Sequence, residues 1–491
     1  MKITFKKSLA TLLALVMLFS CVGISGSAGA TTGYETTRLN CTVYGDTQTQ
    51  RGFTWYTARP CDTAIQIVDA GNYKLTGFQK AKTYTGTVSD WDGYYCHKVV
   101  VTGLEPGVDY RYRAGSLEYN TWSQMGKFYT DNADGKFSFI AIADVQARDH
   151  EEYVQASNVM RAAMDYTPGA EFAINLGDFV NDCTSEEWED FGSTFADVNT
   201  KLTYVPVVGN HEGNITNKLN VGWFNAQFNL LYGDGDLNGV NGVYYSYDYG
   251  NAHFTVLNSN DMYPMTEIQR NWIVNDITNS DAHWKILLVH RAPYAAGKNV
   301  YKPDNAIMRR TIIDIVDETG VDFVFSGHDH MYFRTVQVAN DLPCEDIVYV
   351  TEKFHGEDVT FAVNPDGAIY TLPSTAGGKR YGVQTIGATI KDCADKYFST
   401  GDMGGCFSNV VIDGDKLVYK AYAVDDVTQK VTQIDEYAIK KNIPDEKVEG
   451  TDLPTDIGST IDGSVGNFIT DFLAMIIGYI ELIPDLILGL F

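Results

Sequence analysis

The sequence predicts a multidomain chain of the α+β and α/β classes: a β-sandwich, then a domain of buried β-sheets flanked by helices. Three observations carry that expectation. Residues 36–132 are short runs rich in Thr, Tyr and Val, separated by turn signals. From Lys136 to about residue 440, apolar strand-like runs alternate with amphipathic helical stretches. The second set of strands runs, one after another, directly into Asp, Asn or His. At 491 residues the chain is long enough for both domains and a large core.

The first thirty residues read as a targeting segment. Lys2, Lys6 and Lys7 precede an apolar run from Leu9 to Ile24, and SGSAGA at 25–30 fits a small-x-small cleavage site. A signal peptide over 1–30 is expected, with secretion or display at the cell surface; the rival is lipidation at Cys21, where Phe19 is bulky for a lipobox. Losing residues 1–30, with three lysines and no acids, takes the formal charge from −26 to −29. Such a charge argues against non-specific nucleic-acid binding, and an anionic substrate would need local positive charge. Seven cysteines follow Ala30 with no CxxC pair, so a cysteine zinc site is not expected, and their pairing cannot be read.

Within the first domain, 52–57, 64–68, 97–101 and 110–113 are the expected strands. The run Leu104-Glu105-Pro106-Gly107-Val108-Asp109-Tyr110 resembles the Leu-x-Pro-Gly-x-x-Tyr of fibronectin type III domains, which implies that Leu104 and Tyr110 pack the core. In the second domain, 136–440, strands are expected at 137–143, 171–176, 204–208, 254–257, 284–289 and 321–325, and helices at 151–165, 186–200, 266–277 and 305–318. Further strands near Val348, Val410 and Val418 complete it. Residues 443–466, rich in Asp, Gly, Pro, Ser and Thr, read as a linker. Residues 467–491 form an apolar amphipathic tail whose longest uncharged run, 472–480, is too short to span a bilayer. It reads as a helix docked on this chain or on a second copy, or as a surface for a membrane or a protein partner.

The strand ends carry the chemistry. The successive strands lead into Asp144-Val145-Gln146, Gly177-Asp178, Gly209-Asn210-His211-Glu212, His290 and Gly327-His328-Asp329-His330. Each piece alone is a common turn or loop. In an open α/β sheet, however, strand C-termini converge on one crevice. Carboxylates, an amide oxygen and imidazoles together suit zinc, iron or manganese, with enough ligands for two ions sharing a carboxylate. Two such ions can clamp the attacking and leaving oxygens of a phosphoryl transfer. Alternation along 328–330 sends His328 and His330 to one side and turns Asp329 away.

The ordered set resembles the calcineurin-like metallophosphoesterases, and within them the purple acid phosphatase branch, in which a fibronectin-like domain precedes the phosphoesterase domain. The stretches YYSYDYG at 244–250 and HDHMYFRT at 328–335 also read like that branch. The resemblance covers residues 36 to 440 and implies a domain of two packed mixed β-sheets. It implies a secreted hydrolase that cleaves phosphate monoesters by in-line attack of a metal-bridging hydroxide, with two divalent or trivalent ions (Fe, Zn or Mn). Asp178 would bridge; Asp144 and His330 would bind the first metal, and Asn210, His290 and His328 the second. His211 would serve the leaving group as the catalytic acid.

Two positions depart from the pattern. The branch has a tyrosine three residues after the bridging aspartate, where this chain has Asn181; the wider superfamily has a histidine two residues after the first aspartate, where this chain has Gln146. Either would have to give the first metal an oxygen, and a colourless protein is expected. Arg291 and His355 are candidate substrate contacts. His253 reads as structural, and His97, His150 and His283 as surface groups. The rivals are a phosphodiesterase or nucleotidase with the same metals, and a non-catalytic surface binding protein.

Overall fold

The computed structural model describes residues 32–213, 221–233, 243–261 and 265–442. The segments expected as a signal peptide, with Cys21, as a linker and as an apolar tail lie outside them. Among the described residues no helix is long and apolar enough to cross a membrane.

The first nine strands are β1 (Thr37–Thr42), β2 (Arg51–Thr57), β3 (Ala64–Asp69), β4 (Lys82–Thr85), β5 (Thr87–Trp91), β6 (Tyr94–Val101), β7 (Asp109–Ser116), β8 (Thr121–Trp122) and β9 (Gly126–Tyr129). They form two facing layers, β1-β2-β6-β5 and β4-β3-β7-β8, with β9 on β7. Phe53, Trp55, Ile65, Val99, Tyr112 and Phe128 fill the space between them. Leu104 and Tyr110 join that core, and the Tyr110 hydroxyl accepts the Glu105 N–H at 2.9 Å. His97 is not at the surface as the sequence suggested. Its ring is fully buried, stacked on Trp55 and held between Thr57 and Thr63, because β6 turns that position inward. Burial lowers its pKa to about 4.

The second domain opens with β10 (Lys136–Ile142), α1 (His150–Tyr166), β11 (Phe172–Asn175), α2 (Ser185–Thr194), α3 (Ala196–Asn199) and β12 (Thr203–Pro206). The single helix expected over 186–200 is broken at Phe195, whose fully buried ring packs on Phe191. Next come β13 (Tyr245–Tyr249), β14 (Ala252–Val256), α4 (Glu267–Asn279), β15 (Trp284–Arg291), α5 (Pro303–Thr319), β16 (Phe323–Gly327) and β17 (Tyr332–Thr335). A short hairpin, β18 (Val338–Ala339) and β19 (Leu342–Pro343), precedes β20 (Val348–Phe354), β21 (Glu357–Val363), β22 (Ile369–Pro373), β23 (Ala394–Phe398), β24 (Gly405–Asp413), β25 (Lys416–Val424) and β26 (Val431–Lys440).

These strands make two mixed sheets. One runs β20-β21-β26-β25-β24-β10-β11-β12 and continues through β1 into the sandwich; the other is β13-β14-β15-β16-β22-β17-β23. The continuation is a finding the sequence did not offer: β1 pairs parallel to β12, Thr42 opposite Tyr204, and the Val43 N–H donates to the Tyr204 carbonyl at 3.1 Å. The sandwich is therefore hydrogen-bonded to the sheet that carries half of the site.

Apolar strands without polar alternation have both faces covered. In β15, Ile286 and Leu288 enter the core between the sheets while Leu287 and Val289 face the core under α4 and α5. β16 divides in the same way, Phe323 and Phe325 against Val324. Between the sheets Phe139 meets Phe254 and Phe325 at centroid distances of 5.5 and 5.9 Å, and Phe323 meets Tyr419 at 5.5 Å. Much of the chain's aromatic content is thus used to join the two sheets.

His253 is a structural ion-pair centre on β14. Its Nδ1 lies 2.7 Å from Asp248 and its Nε2 2.9 Å from Asp276, which also accepts from Ser246 and Thr255. Burial opposes the cation, but the two carboxylates prevail and raise its pKa to about 9. A pKa raised on folding gives stability that is full below pH 6.5 and lost as pH climbs through about 9. With Asp248 largely exposed, the pairing is worth about 2 kcal/mol. His253→Gln should therefore lower the urea midpoint at pH 6 and match the parent above pH 9.5, as read in paired denaturation curves.

Candidate metal centre

The parallel strands β10, β11 and β12 of one sheet and β15 and β16 of the other all point their C-terminal ends at one cleft. Asp144, Asp178 and Asn210 arrive from the first sheet, and His290, His328 and His330 from the second. Two clusters have ligand atoms all within 4.8 Å of one another: Asp178, His290 and His328; and Asp144, Asp178 and His330. Asp178 belongs to both. Asn210 Oδ1 adjoins the first cluster, 3.1 Å from His290 Nε2. Asp144, Asp178, His290, His328 and His330 are buried.

The backbone is bent to make this convergence. Asp144, Gln146, Asp178, His328 and His330 all adopt positive φ, between 32° and 76°, a conformation that costs side-chain-bearing residues energy and concentrates at functional sites. Two glycines leave room for the bends. Gly177 has φ +96°, and a Cβ there would lie 2.6 Å from His290 Nδ1. A Cβ on Gly209 would lie 2.2 Å from Asp178 N and Oδ1.

The imidazoles of His290 and His330 are oriented by their other nitrogen, while His328 is held through its backbone N–H. His290 Nδ1 donates to the Leu176 carbonyl at 2.8 Å, which turns Nε2 toward Asp178, 3.2 Å away. His330 Nδ1 donates to the Lys379 carbonyl, and its Nε2 lies 3.4 Å from Asp144. The His328 N–H donates to both Asp144 oxygens at 2.9 Å. This arrangement, N–H to carbonyl on one side and a lone pair toward carboxylates on the other, is that of metal-binding histidines.

The donor set fits a cation. His328 Nε2 and Gln146 Oε1 are buried with no hydrogen-bond partner among the described residues. Burial, then the neighbouring His290 and Arg291, keep His328 neutral, well below its usual pKa. Burial works against the Asp178 carboxylate, but His290 and His211 hold it well below the usual range. Burial likewise disfavours the His290 cation, yet Asp178 and Asp144 raise its pKa to about 9, so the pocket calls for positive charge.

His211 sits at the rim with its side chain partly exposed. Its Nδ1 donates to the Asn181 carbonyl, its Nε2 receives the Gln146 amide at 2.5 Å and lies 3.9 Å from Asp178, and its N–H donates to Asp178 Oδ1 at 2.9 Å. The Asn181 side chain donates to Asp182 at 2.9 Å. The Asn181 carbonyl meets His211. Arg291 is buried beside the cleft, its N–H donating to Ser259 Oγ at 3.2 Å, and its pKa is lowered by burial and raised by Asp178. His355 is elsewhere. It pairs with Asp413, which faces Lys136 at the start of β10, the end away from Asp144, because the β20–β21 hairpin returns along the sheet. It is excluded as a substrate contact.

Asp329 is turned away, accepting the N–H groups of Gly297 and Asn299 at 2.9 and 3.0 Å. Glu212, named in the sequence only as part of a motif, proves central. Fully buried, it accepts the N–H groups of Asp178, Phe179, Val180 and Gly209. Thr375, whose hydroxyl donates to the Asp144 carbonyl at 2.5 Å, and Tyr381, stacked on His330 at 4.4 Å, carry no sequence signal at all.

Family comparisons agree with this geometry. Residues 137–332 match the family described as calcineurin-like phosphoesterase, and residues 36–130 match the purple acid phosphatase N-terminal domain. The chain is a purple acid phosphatase-like metallophosphoesterase. It is 24% identical to purple acid phosphatase 23 of Arabidopsis thaliana over 60% of this chain and 72% of that protein. It is also 24% identical to human acid phosphatase type 7, over 74% of this chain and 82% of that one. Among solved structures, the purple acid phosphatase PPD1 from yellow lupin superposes with a TM-score of 0.65 at 14% identity, covering 83% of this chain and 75% of that one. PhoD superposes with a TM-score of 0.60 at 13% identity, over 92% and 100%. The two structural matches bear on the fold.

Proposed function

We propose that this metallophosphoesterase is an exported two-metal enzyme that releases phosphate from monoesters. One observation carries the reading: a single buried carboxylate, Asp178, belongs to both ligand clusters, as a shared bridge requires. Asp144 and His330 would hold the first ion and Asn210, His290 and His328 the second, with Gln146 Oε1 available to the first. When bound, such a pair supplies Lewis acidity toward a phosphoryl group and lowers the pKa of water. The chain's own residues do the rest. Leu176 and Lys379 carbonyls fix the imidazole faces, and burial excludes bulk water. His211 is anchored by the Asn181 carbonyl at the cleft rim; once its Nε2 takes up a proton and the Gln146 amide turns from it, the imidazolium would give that Nε2 proton to the departing alkoxide.

The test is metal analysis and hydrolysis by the purified mature protein. It should hold two transition-metal ions and show no phenolate-to-iron absorption, since position 181 offers no phenol. Para-nitrophenyl phosphate should be cleaved faster than its bis ester by about tenfold or more in kcat/KM. Faster diester cleavage would make it a phosphodiesterase; two bound ions without phosphate release would make it a binding protein.

A further inference from the structure

One face of β1, β2 and β6 is turned away from the sandwich core and carries Asn40, Thr42, Tyr56, Cys96 and Lys98. In a free-standing antiparallel sheet that face would meet water. Here Asn40, Thr42, Tyr56 and Cys96 are buried. What meets them is a strap of chain, residues 221–232, that opens with a helical turn, Gly222–Gln227. Lys98 Nζ donates to the Asn225 carbonyl and, at 2.8 Å, to the Phe228 carbonyl. The Tyr56 hydroxyl and the Cys96 thiol donate to the Ala226 carbonyl at 2.7 and 3.3 Å. Asn40 Nδ2 donates to the Gln227 carbonyl at 3.3 Å, and the Thr42 hydroxyl to the Asn229 carbonyl at 2.6 Å. Every carbonyl from residue 225 to residue 229 is thus held by a donor from the sandwich. The last carbonyls of a helical turn have no partner of their own, and an ammonium or hydroxyl there satisfies them. Asn229 answers with its Nδ2, which donates to the Val99 and Phe53 carbonyls at 3.0 and 3.3 Å. Gly52 leaves the room, since a Cβ there would lie 2.2 Å from the Asn229 carbonyl oxygen.

The other side of the strap bears on the metal centre. Phe224 and Phe228 are fully buried, with their rings 6.4 and 5.1 Å from that of Phe179. Phe228 also meets Trp188 of α2 at 6.2 Å. Phe179 directly follows Asp178, and its N–H donates to Glu212 Oε1 at 2.7 Å. The path from Lys98 to the shared carboxylate is therefore continuous: ammonium, strap carbonyls, Phe228 ring, Phe179, Asp178.

Resting on the two-metal reading, we propose that the sandwich is a working part of the metal centre, with Lys98 a positioning residue that sets the turn carrying Asp178 through the strap and the Phe228–Phe179 contact. The parallel pairing of β1 with β12 fixes where the sandwich stands, and the strap carries that position to the turn after β11. A domain with no chemistry of its own thereby governs the carboxylate on which both ligand clusters depend. Ligand positions are set by the partners behind them, and loosening those partners weakens metal binding.

The experiment reads the turn without turnover, in Lys98→Met, which keeps the stem and removes the ammonium. In the metal-free protein, amide hydrogen exchange of peptides spanning 177–183 should quicken by about tenfold, while β15 in the other sheet exchanges as in the parent. Zn2+ affinity, measured by competition with a chelator, should fall by about tenfold. Tyr56→Phe deletes one hydroxyl from the same strap and keeps the ring. It should shift both readings the same way by a smaller factor, and it serves where Lys98→Met does not fold. Ile67→Val loosens the sandwich core from the facing layer and should leave both readings at the parent values. Faster exchange and weaker Zn2+ binding in a protein that releases no phosphate would keep the positioning role and end the enzyme reading. Unchanged exchange at 177–183 and unchanged Zn2+ affinity in both strap variants, in a parent that releases phosphate, would overturn the positioning role alone.

Discussion

Asp178→Asn should release both metals' shared ligand and reduce phosphate release by about a thousandfold or more, roughly 4 kcal/mol of transition-state stabilisation. The substitution is nearly isosteric. An asparagine Oδ1 can still accept the His211 N–H that Asp178 Oδ1 accepts at 2.9 Å, and the backbone N–H remains bonded to Glu212. What is lost is one negative charge and one of two oxygens at the only carboxylate common to both clusters. Metal content per chain should drop below two, with the fold retained by circular dichroism. A substitution within one cluster, such as His330→Ala, should weaken one ion more than the other. Unchanged metal content and unchanged rate in Asp178→Asn would defeat the two-metal reading outright.

The part of the site that could be read in the sequence is the part built from strand ends. An apolar run closed by Gly-Asp or Gly-His announces both a strand and what stands at its mouth, and β10, β11, β12, β15 and β16 behave in that way. Alternation within 328–330 even separated Asp329 from its neighbours, and the N–H groups it accepts account for its turning away. What stayed hidden depends on contacts between distant segments. His97 looked like a surface residue because β6 alternates weakly, and only the facing β3 layer decides which side is inside. His355 follows a strand, as the site residues do, but its strand is antiparallel to β21 at the sheet margin and ends at the wrong pole. Asn181 was weighed as a side chain, and only the fold shows its carbonyl against His211. Tyr381 lies in a glycine-containing segment with no periodicity, so nothing local places it against His330.

Glu212 unites these two kinds of information. It follows Asn210 and His211 in a recognisable motif, yet its task is long-range: Oε1 accepts the N–H groups of Phe179 and Val180 at 2.7 and 3.4 Å, and Oε2 those of Asp178 and Gly209 at 2.9 and 2.7 Å. One carboxylate therefore locks the turn after β11 to the turn after β12, the turns that carry Asp178 and Asn210. Burial and the charge of Asp178 push its pKa up to about 8, against His290 and the N–H donors. Glu212→Gln keeps the shape but turns an NH2 toward two N–H donors, leaving those donors unsatisfied in a buried place. That should cost about 2–4 kcal/mol in urea denaturation, and metal affinity should fall by about 10- to 100-fold at both sites, because both depend on Asp178. His253→Gln provides the comparison, since it removes stability at pH 6 from a part of β14 that touches no ligand. If Glu212→Gln loses stability but binds metal as the parent does, Glu212 only braces the fold. If affinity falls in Glu212→Gln and holds in His253→Gln, the carboxylate sets the position of the bridge.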